Sequence, residues 1–335
     1  MRPSFKLETN GADITDSIAD RLIKLRINDD AGQKSDTLDI ALDDRGYDLD
    51  IPSSKATLKV SLGYKETEMK NLGTFVIDEV ELTENPAGLK IRAKAADSSP
   101  TFKATKTRSW HGKTIGEIVT TIAGEHQLMP SVHADYASRL IPHIDQENES
   151  DAHFLTRLAK TYGATSKPTQ GYLIFIPEGE GLSATGQNIR PVTVTKDEVL
   201  TLKATIKDRG NYSGVVTRYR DKVTNQEIEV TVEDRWQTIF GKGPVFRDKK
   251  IYGSEDMATQ AGKAMLKQLQ SGAVTIDLTI IGRADIYAER PITLSGLRKP
   301  IAGTWITKTV THELSPKGFT TKIVCGNQTA KATTA

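Results

Sequence analysis

The chain has little of what most directly announces chemistry. Cys325 is the only cysteine in 335 residues, which excludes an internal disulfide and any zinc site built from cysteines. The six histidines, at 111, 126, 133, 143, 153 and 312, are scattered without a His-Glu-x-x-His pair; His312-Glu313 runs into Leu-Ser-Pro instead. They read as surface or satisfied side chains. No Gly-x-Ser-x-Gly elbow is present, which removes the commonest serine-hydrolase signal. Gly112-Lys113-Thr114 has the tail of a phosphate-binding loop, but that motif needs glycine at 107, where Thr107 stands.

Long apolar runs are also missing. No segment approaches the ~20 apolar residues that a membrane span requires. Met1 to Lys6 leads into polar sequence without the apolar core of a signal peptide, so synthesis and folding in a cytoplasm are expected. Charge of one sign is absent as well: 45 basic against 43 acidic residues leave +2, which argues against a general electrostatic binder of nucleic acid. The basic runs Lys103–Arg108 and Arg247–Lys250 are short and interrupted. They read as exposed loops, with a weak contact to DNA or a neighbouring subunit as the functional alternative. Trp110, Trp236 and Trp305 read as core or interface anchors.

What is abundant is strand pattern. Thr37–Leu42, Ala56–Leu62 and Thr74–Leu82 alternate with period two, and Asn85-Pro86-Ala87-Gly88 turns the last of these into Leu89–Lys94. From about Trp110 the pattern changes. Thr114-Ile-Gly-Glu117 is a capping box, followed by a stripe of Ile115, Ile118, Val119 and Ile122. Tyr172–Ile176 is a short apolar strand, Glu178–Gly186 is glycine-rich, and strand pattern resumes at Val192. A further helix is expected from Ser254 to Gln270, stopped by Gly272, with Met257, Ala261, Ala264 and Met265 inward. Ala273–Gly326 is β again.

An internal repeat is visible. Gly73-Thr74-Phe75-Val76 matches Gly303-Thr304-Trp305-Ile306, and without a gap Val80, Pro86, Gly88 and Leu89 match Val310, Pro316, Gly318 and Phe319. Shared turn chemistry explains the Pro-x-Gly part, but a turn does not require the Gly-Thr-aromatic start. Duplicated β domains, one near each end, are the expected cause, with a mixed helical insertion between them.

The run Gln146 to Gly163 is a well-specified helix. Ser150 or Asn148 can cap it, Glu147, Glu149 and Asp151 oppose the dipole, and Arg157 and Lys160 lie toward the other end. Phe154, Leu155, Leu158 and Tyr162 form one apolar face, and Gly163 ends the helix. The pattern Gln-x-Asn-Glu-Ser-Asp-x-x-Phe-Leu-x-Arg-Leu-Ala, with Trp110–Ile118 and Gly171–Phe175, resembles the phage late control gene D family, the baseplate hubs of contractile tails. The likeness covers most of the chain.

The resemblance implies a mainly β fold with an α+β insertion: two related tube-like β-barrel domains plus a mixed helical domain. The boundaries expected are 1–103, 104–186 and 187–335, the last with one helix near 254–270. Strands between Val192 and Lys207 could complete the first barrel or begin the second. It also implies a virion structural protein, a homotrimer whose six barrels cap the tail tube and join a spike protein. Tail tube, tape-measure and other baseplate proteins are the further partners, DNA passes through the channel without specific binding, and no membrane is involved. The family carries no catalytic, cofactor or metal residues. Trp110, Gln146, Asn148, Glu149, Ser150, Asp151, Phe154, Leu155, Arg157, Leu158, Tyr162 and Gly163 are therefore expected to be structural or interface residues. Phe154, Leu158 and Tyr162 would pack, Arg157 would make a salt bridge or subunit contact, and Gln146–Ser150 would order the loop before the helix.

Two other classes remain open. Glu147, Glu149 and Asp151 could be the acids of a tail-associated peptidoglycan hydrolase, although such an enzyme needs one carboxyl in an apolar pocket and another across a cleft. A hub-like part of a secretion spike is the other, against which the polar end of the chain at Ala335 speaks, since a fused needle would have to follow.

Overall fold

A computed structural model describes residues 1–31, 35–53, 55–95, 100–169, 171–183, 185–207, 212–221, 224–233, 243–271, 274–299 and 301–328. Trp236 and Gly272 lie outside the described residues.

The alternating segments near the N-terminus form β1 (Pro3–Thr9), β2 (Ala12–Asp13), β3 (Leu22–Asp30), β4 (Thr37–Asp43), β5 (Thr57–Tyr64), β6 (Lys70–Thr83) and β7 (Gly88–Ala95), with the one-turn helix α1 (Thr15–Ile18) after β2. Their order is β3-β4-β7-β6-β5-β1. Every second residue points inward, so Leu25, Leu38, Ile40, Val60, Leu62, Phe75 and Leu89 share one core, each side chain contributing roughly 1.5–3 kcal/mol by leaving water.

The middle of the chain is the α+β insertion. It contains β8 (Thr105–Thr114), α2 (Ile115–Glu125), β9 (Met129–Val132), α3 (Ala134–Ala137), β10 (Leu140–Ser150), α4 (Asp151–Tyr162), β11 (Ala164–Thr169) and β12 (Tyr172–Pro177). Thr114 caps α2 in a reciprocal box, accepting from the Glu117 amide at 3.1 Å while Glu117 Oε2 accepts from the Thr114 amide at 2.7 Å. Ile115, Ile118, Val119 and Ile122 are fully buried against Phe154, Leu155 and Leu158 of α4.

The remaining elements are β13 (Val192–Thr195), β14 (Val199–Ile206), β15 (Gly214–Arg220), β16 (Glu227–Glu233), β17 (Val245–Tyr252), α5 (Glu255–Ser271), β18 (Val274–Ile281), β19 (Pro291–Ser295), β20 (Gly303–Ser315) and β21 (Gly318–Gln328). β13 and β14 pair with β19 and β18, so they belong with the C-terminal strands. The order β14-β18-β21-β20-β19-β13 repeats that of the first barrel strand for strand. In each copy six strands curl around one core, and among the described residues no ladder closes the first strand of that order on the last.

Finer geometry also repeats. Gly73 and Gly303 take φ of +130° and +136°, a backbone that side chains disfavour, which explains why both copies begin on glycine. The β6–β7 ladder has a bulge between Ile77 and Glu79, and the β20–β21 ladder has one at the matching place, between Thr307 and Thr309. Two details differ. The first hairpin closes at Thr83–Gly88 and the second at Ser315–Gly318, so the turns differ by two residues and keep the same inward faces. β1 runs antiparallel to β5, whereas β13 runs parallel to β19.

Between β14 and β18 the chain inserts a three-stranded sheet, β16-β15-β17, covered by α5. The stripe on α5 is rotated from the expected one: Ala258, Ala261 and Leu266 are buried, while Met257, Ala264 and Met265 are only partly covered. Close approach decides this, since Gly262 faces Val232 so tightly that a Cβ would lie 2.9 Å from Cγ2. No helix among the described residues is long and apolar enough to cross a membrane.

Candidate functional site

The signature segment is not a loop followed by a helix. Gln146 to Ser150 is the end of strand β10, paired with β8, and a bulge between Gln146 and Glu149 puts Asn148 at φ +43°. The bulge turns the strand directly into α4. Ser150 accepts from the His153 amide at 3.2 Å and is the cap; Asn148 is not.

Asp151 does more than oppose a dipole. Its side chain is fully buried and accepts from Lys106 Nζ and Arg108 Nη2 at 2.6 Å, and from Gln146 Nε2 and His126 Nε2 at 2.8 Å. Burial pushes its carboxyl up, but bonds from Lys106, Gln146 and His126 and the charge of Arg108 outweigh burial and hold it below the ordinary value. Glu125 closes the network on Lys106 at 2.7 Å and Arg108 at 2.6 Å. The Arg108 guanidinium lies 4.5 Å over Trp110, which stacks on Phe154 at 6.1 Å. One cluster thus ties β8, α2, β10 and α4 together.

The other signature residues pack around this cluster. Phe154, Leu155, Leu158 and Tyr162 are buried on the inward face of α4. Glu149 pairs with Arg157 at 2.7 Å and His153 at 2.7 Å, and Arg157 also donates to the Asp145 carbonyl at 2.7 Å. Gly163 ends α4 at φ +63°, and a Cβ there would lie 3.0 Å from Ala264 on α5. Gly163→Ala is expected to cost about 1–2 kcal/mol from the left-handed backbone alone. Urea denaturation checks this, and an unchanged midpoint would contradict it.

The expected loop Lys103–Arg108 lies mostly on β8, and its Lys106 and Arg108 turn inward to Asp151 rather than toward DNA. Arg247–Lys250 likewise lies on β17. Glu125, His126 and Asp151 have donor atoms within 4.8 Å of one another, a spacing that suits a metal ion. The Lys106 ammonium and Arg108 guanidinium already neutralise that cluster. Asp151 and Glu149 are both held as carboxylates by their cations, so neither can serve as the protonated acid of a glycosidase at neutral pH.

The two barrels meet in one continuous sheet, where β20 pairs antiparallel with β3 from Leu314–Leu25 to Thr309–Asp30. Arg26 and Glu313 form an ion pair at 2.5 Å and Thr311 donates to Asn28 at 2.8 Å across this junction. Leu314 and Phe319 of the second barrel complete the core of the first. Next to this junction lie carboxyls that sequence reasoning missed. Asp29 accepts from the Ala288 amide at 2.8 Å and shares a hydrogen bond with Asp36. Burial and the charge of Asp29 push Asp36 up to about 7, and burial pushes Asp29 up as well. Lys167 of β11 is the cation beside them and donates to the Asp30 carbonyl at 2.9 Å. Glu289, at φ +65°, is pushed up to about 7 by burial and by Glu178, and accepts from the Gly179 amide at 3.1 Å. It lines a cavity of about 290 Å3 between insertion, α5 and second barrel, with Lys160, Lys267 and Lys308 around it. No local sequence pattern marks these acids, because their burial comes from surfaces far apart in the chain.

A family model described as the phage tail baseplate hub (GPD) matches residues 56–317. The probable baseplate hub proteins of Escherichia phage 186 and Escherichia phage P2 are each 33% identical, over 96% of this chain and 92% of their own length. Among solved structures, the prophage MuSo2 43 kDa tail protein from Shewanella oneidensis has the same fold at TM-score 0.72 and 14% identity, over 96% of this chain and 98% of that one.

Proposed function

Because the chain belongs to the phage tail baseplate hub family, we propose that it is the structural hub of a contractile tail, acting as a homotrimer whose six barrels cap the tail tube and receive the spike. One observation carries this reading: the chain holds two barrels of the same strand order, set side by side in one sheet through β3 and β20. Three such chains place six barrels in a ring while keeping three-fold symmetry overall. That ring matches a six-fold tube on one face and a three-fold spike on the other. The place of the protein is the tail baseplate of the virion, reached after assembly in the host cytoplasm.

In this reading 1–103 and 187–335 are the barrel units, and 104–186 is the insertion held by the Asp151 cluster. The spike and tube proteins are the direct partners, with tape-measure and other baseplate proteins adjoining, and DNA passes through the channel without base-specific contact. Of the acids suspected of catalysis, Glu149 and Asp151 are held in ion pairs, which supports a non-enzymatic role. The mass in solution, alone and mixed with a spike protein, tests the proposal. A trimer that takes up a spike trimer is expected, and a monomer under both conditions would overturn it. Zymography on cell walls separates the hydrolase alternative: no clearing is expected, and clearing by the purified chain would favour it.

A further inference from the structure

His111 on β8 and His143 on β10 stand directly opposite each other in the antiparallel ladder between these strands. Alternation puts them on the exposed face, away from buried Trp110 and Gln146. Their rings stack with centroids 4.5 Å apart and planes 29° from parallel, and the two Nδ1 atoms are 3.1 Å apart. Ser109 and Asp145 form the next pair on the same face. Ser109 Oγ donates to Asp145 Oδ1 at 2.5 Å, and Asp145 Oδ2 lies 3.1 Å from His143 Nε2. Neither the buried network around Asp151 nor the hub reading uses these four side chains. The other histidines are engaged elsewhere: His126 with Asp151, His133 as the cap of α3, His153 with Glu149 and His312 in the second barrel.

A carboxylate only accepts, so the proton between Asp145 and the neutral His143 ring sits on Nε2. His143 Nδ1 is then left with a lone pair, turned toward a second imidazole nitrogen. Hydroxyl, carboxylate and imidazole in series are the arrangement that fixes the tautomer and orientation of a metal-ligating histidine. The spacing fits as well. Zinc–nitrogen bonds of about 2.0–2.1 Å set two ligand nitrogens about 2.9 Å apart at a right angle and about 3.3 Å apart at the tetrahedral angle. The separation of 3.1 Å falls between the two. The His143 side chain is 51% exposed and His111 is exposed too, so neither ring is locked by packing and an ion reaches both from solvent. The nearby cation, Arg157 on the Asp145 carbonyl, is already paired with Glu149.

We propose that His111 and His143 form a two-nitrogen site for a divalent cation that favours imidazole, such as Zn2+, Ni2+ or Cu2+, with Asp145 as its positioning residue. Without the ion, one proton lies between the two Nδ1 atoms. Binding moves that proton from His111 Nδ1 to its Nε2, and each Nδ1 gives its lone pair to the metal. Both rings stay neutral, no electron is transferred, and water fills the remaining positions. The ion clamps β8 to β10 just ahead of the bulge where β10 turns into α4. Mg2+ and Ca2+ prefer oxygen ligands and are not held by two nitrogens. The site needs only one chain, so it stands apart from hub assembly.

Equilibrium dialysis of the full chain against Zn2+, with urea midpoints measured in parallel, tests the site. Zn2+ is expected to bind and to raise the midpoint, because an ion held only by the folded pair stabilises that state. Mg2+ and Ca2+ should leave the midpoint where it is. Asp145→Ala, which removes no ligand, is expected to weaken Zn2+ binding by about 10–100-fold, and His111→Ala and His143→Ala each by at least as much. All three positions are exposed, so the metal-free midpoints should stay close to that of the unmodified chain. The spectrum of bound Cu2+ in electron paramagnetic resonance should show coupling to two nitrogens, and to one fewer in either histidine variant. Zn2+ binding that is unchanged in the His111→Ala/His143→Ala double variant places the ion elsewhere and overturns the site. No binding up to about 1 mM Zn2+, the mark of a plain hydrogen bond between the rings, also overturns it, as does an equal midpoint shift with Mg2+.

Discussion

Replacing Asp151 by alanine is expected to destabilise the insertion by about 3–5 kcal/mol, the range for removing one partner of a buried ion pair. The carboxylate receives four donors, and its loss leaves Lys106 and Arg108 with Glu125 alone as a counter-charge. Trp110 lies beside Arg108, so its fluorescence during urea denaturation should report the loss. Asp151→Ala combined with Lys106→Met should recover part of the stability, because fewer charges are then left unmatched. A change below about 1 kcal/mol would be that of an exposed pair and would contradict the buried network.

The second large effect is in pH. Glu289 has an ordinary value of 4.5 and is pushed up to about 7, so between these values only the folded chain holds the proton. Its contribution to stability is therefore full at low pH and lost as pH rises through 7, by up to about 3 kcal/mol. Asp36, also pushed up to about 7, acts in the same direction. His312 acts oppositely. Buried, with Nε2 donating to the Ile286 carbonyl at 3.0 Å and Nδ1 bonded to Thr321 at 3.0 Å, it is pushed down to about 4. Its stabilisation is present above 6.5 and lost as pH falls toward 4. The two trends offset each other between about 4.5 and 6.5, which flattens the profile of the unmodified chain. Glu289→Gln is expected to be nearly neutral at pH 4.5 and stabilising by up to about 3 kcal/mol at pH 8. Denaturation midpoints at the two values check this, and an equal effect at both would exclude a buried, protonated Glu289.

Much of this protein is legible in its sequence because the signals are local. The capping box at Thr114, the stripe of Ile115, Ile118, Val119 and Ile122, and the stop at Gly163 each follow from residues within a few positions. The repeat starting at Gly73 and Gly303 is legible for the same reason, since both copies must satisfy one unusual backbone angle. It also led to the duplicated barrels. Where reading failed, the missing fact was a distant partner. Lys106 and Arg108 look like a loop until β8 meets α4, and the α5 stripe turns because Val232 occupies the space beside Gly262.

Capping, alternation and turn chemistry act within a few residues, and from them most of the elements, their duplication and the family can be read. Where charge is buried depends instead on how distant segments pack. Asp151, Asp29, Asp36 and Glu289 are equally ordinary as letters; the surfaces that close over them come from segments far apart in the chain, hold one in an ion network and raise the proton affinity of the others by burial.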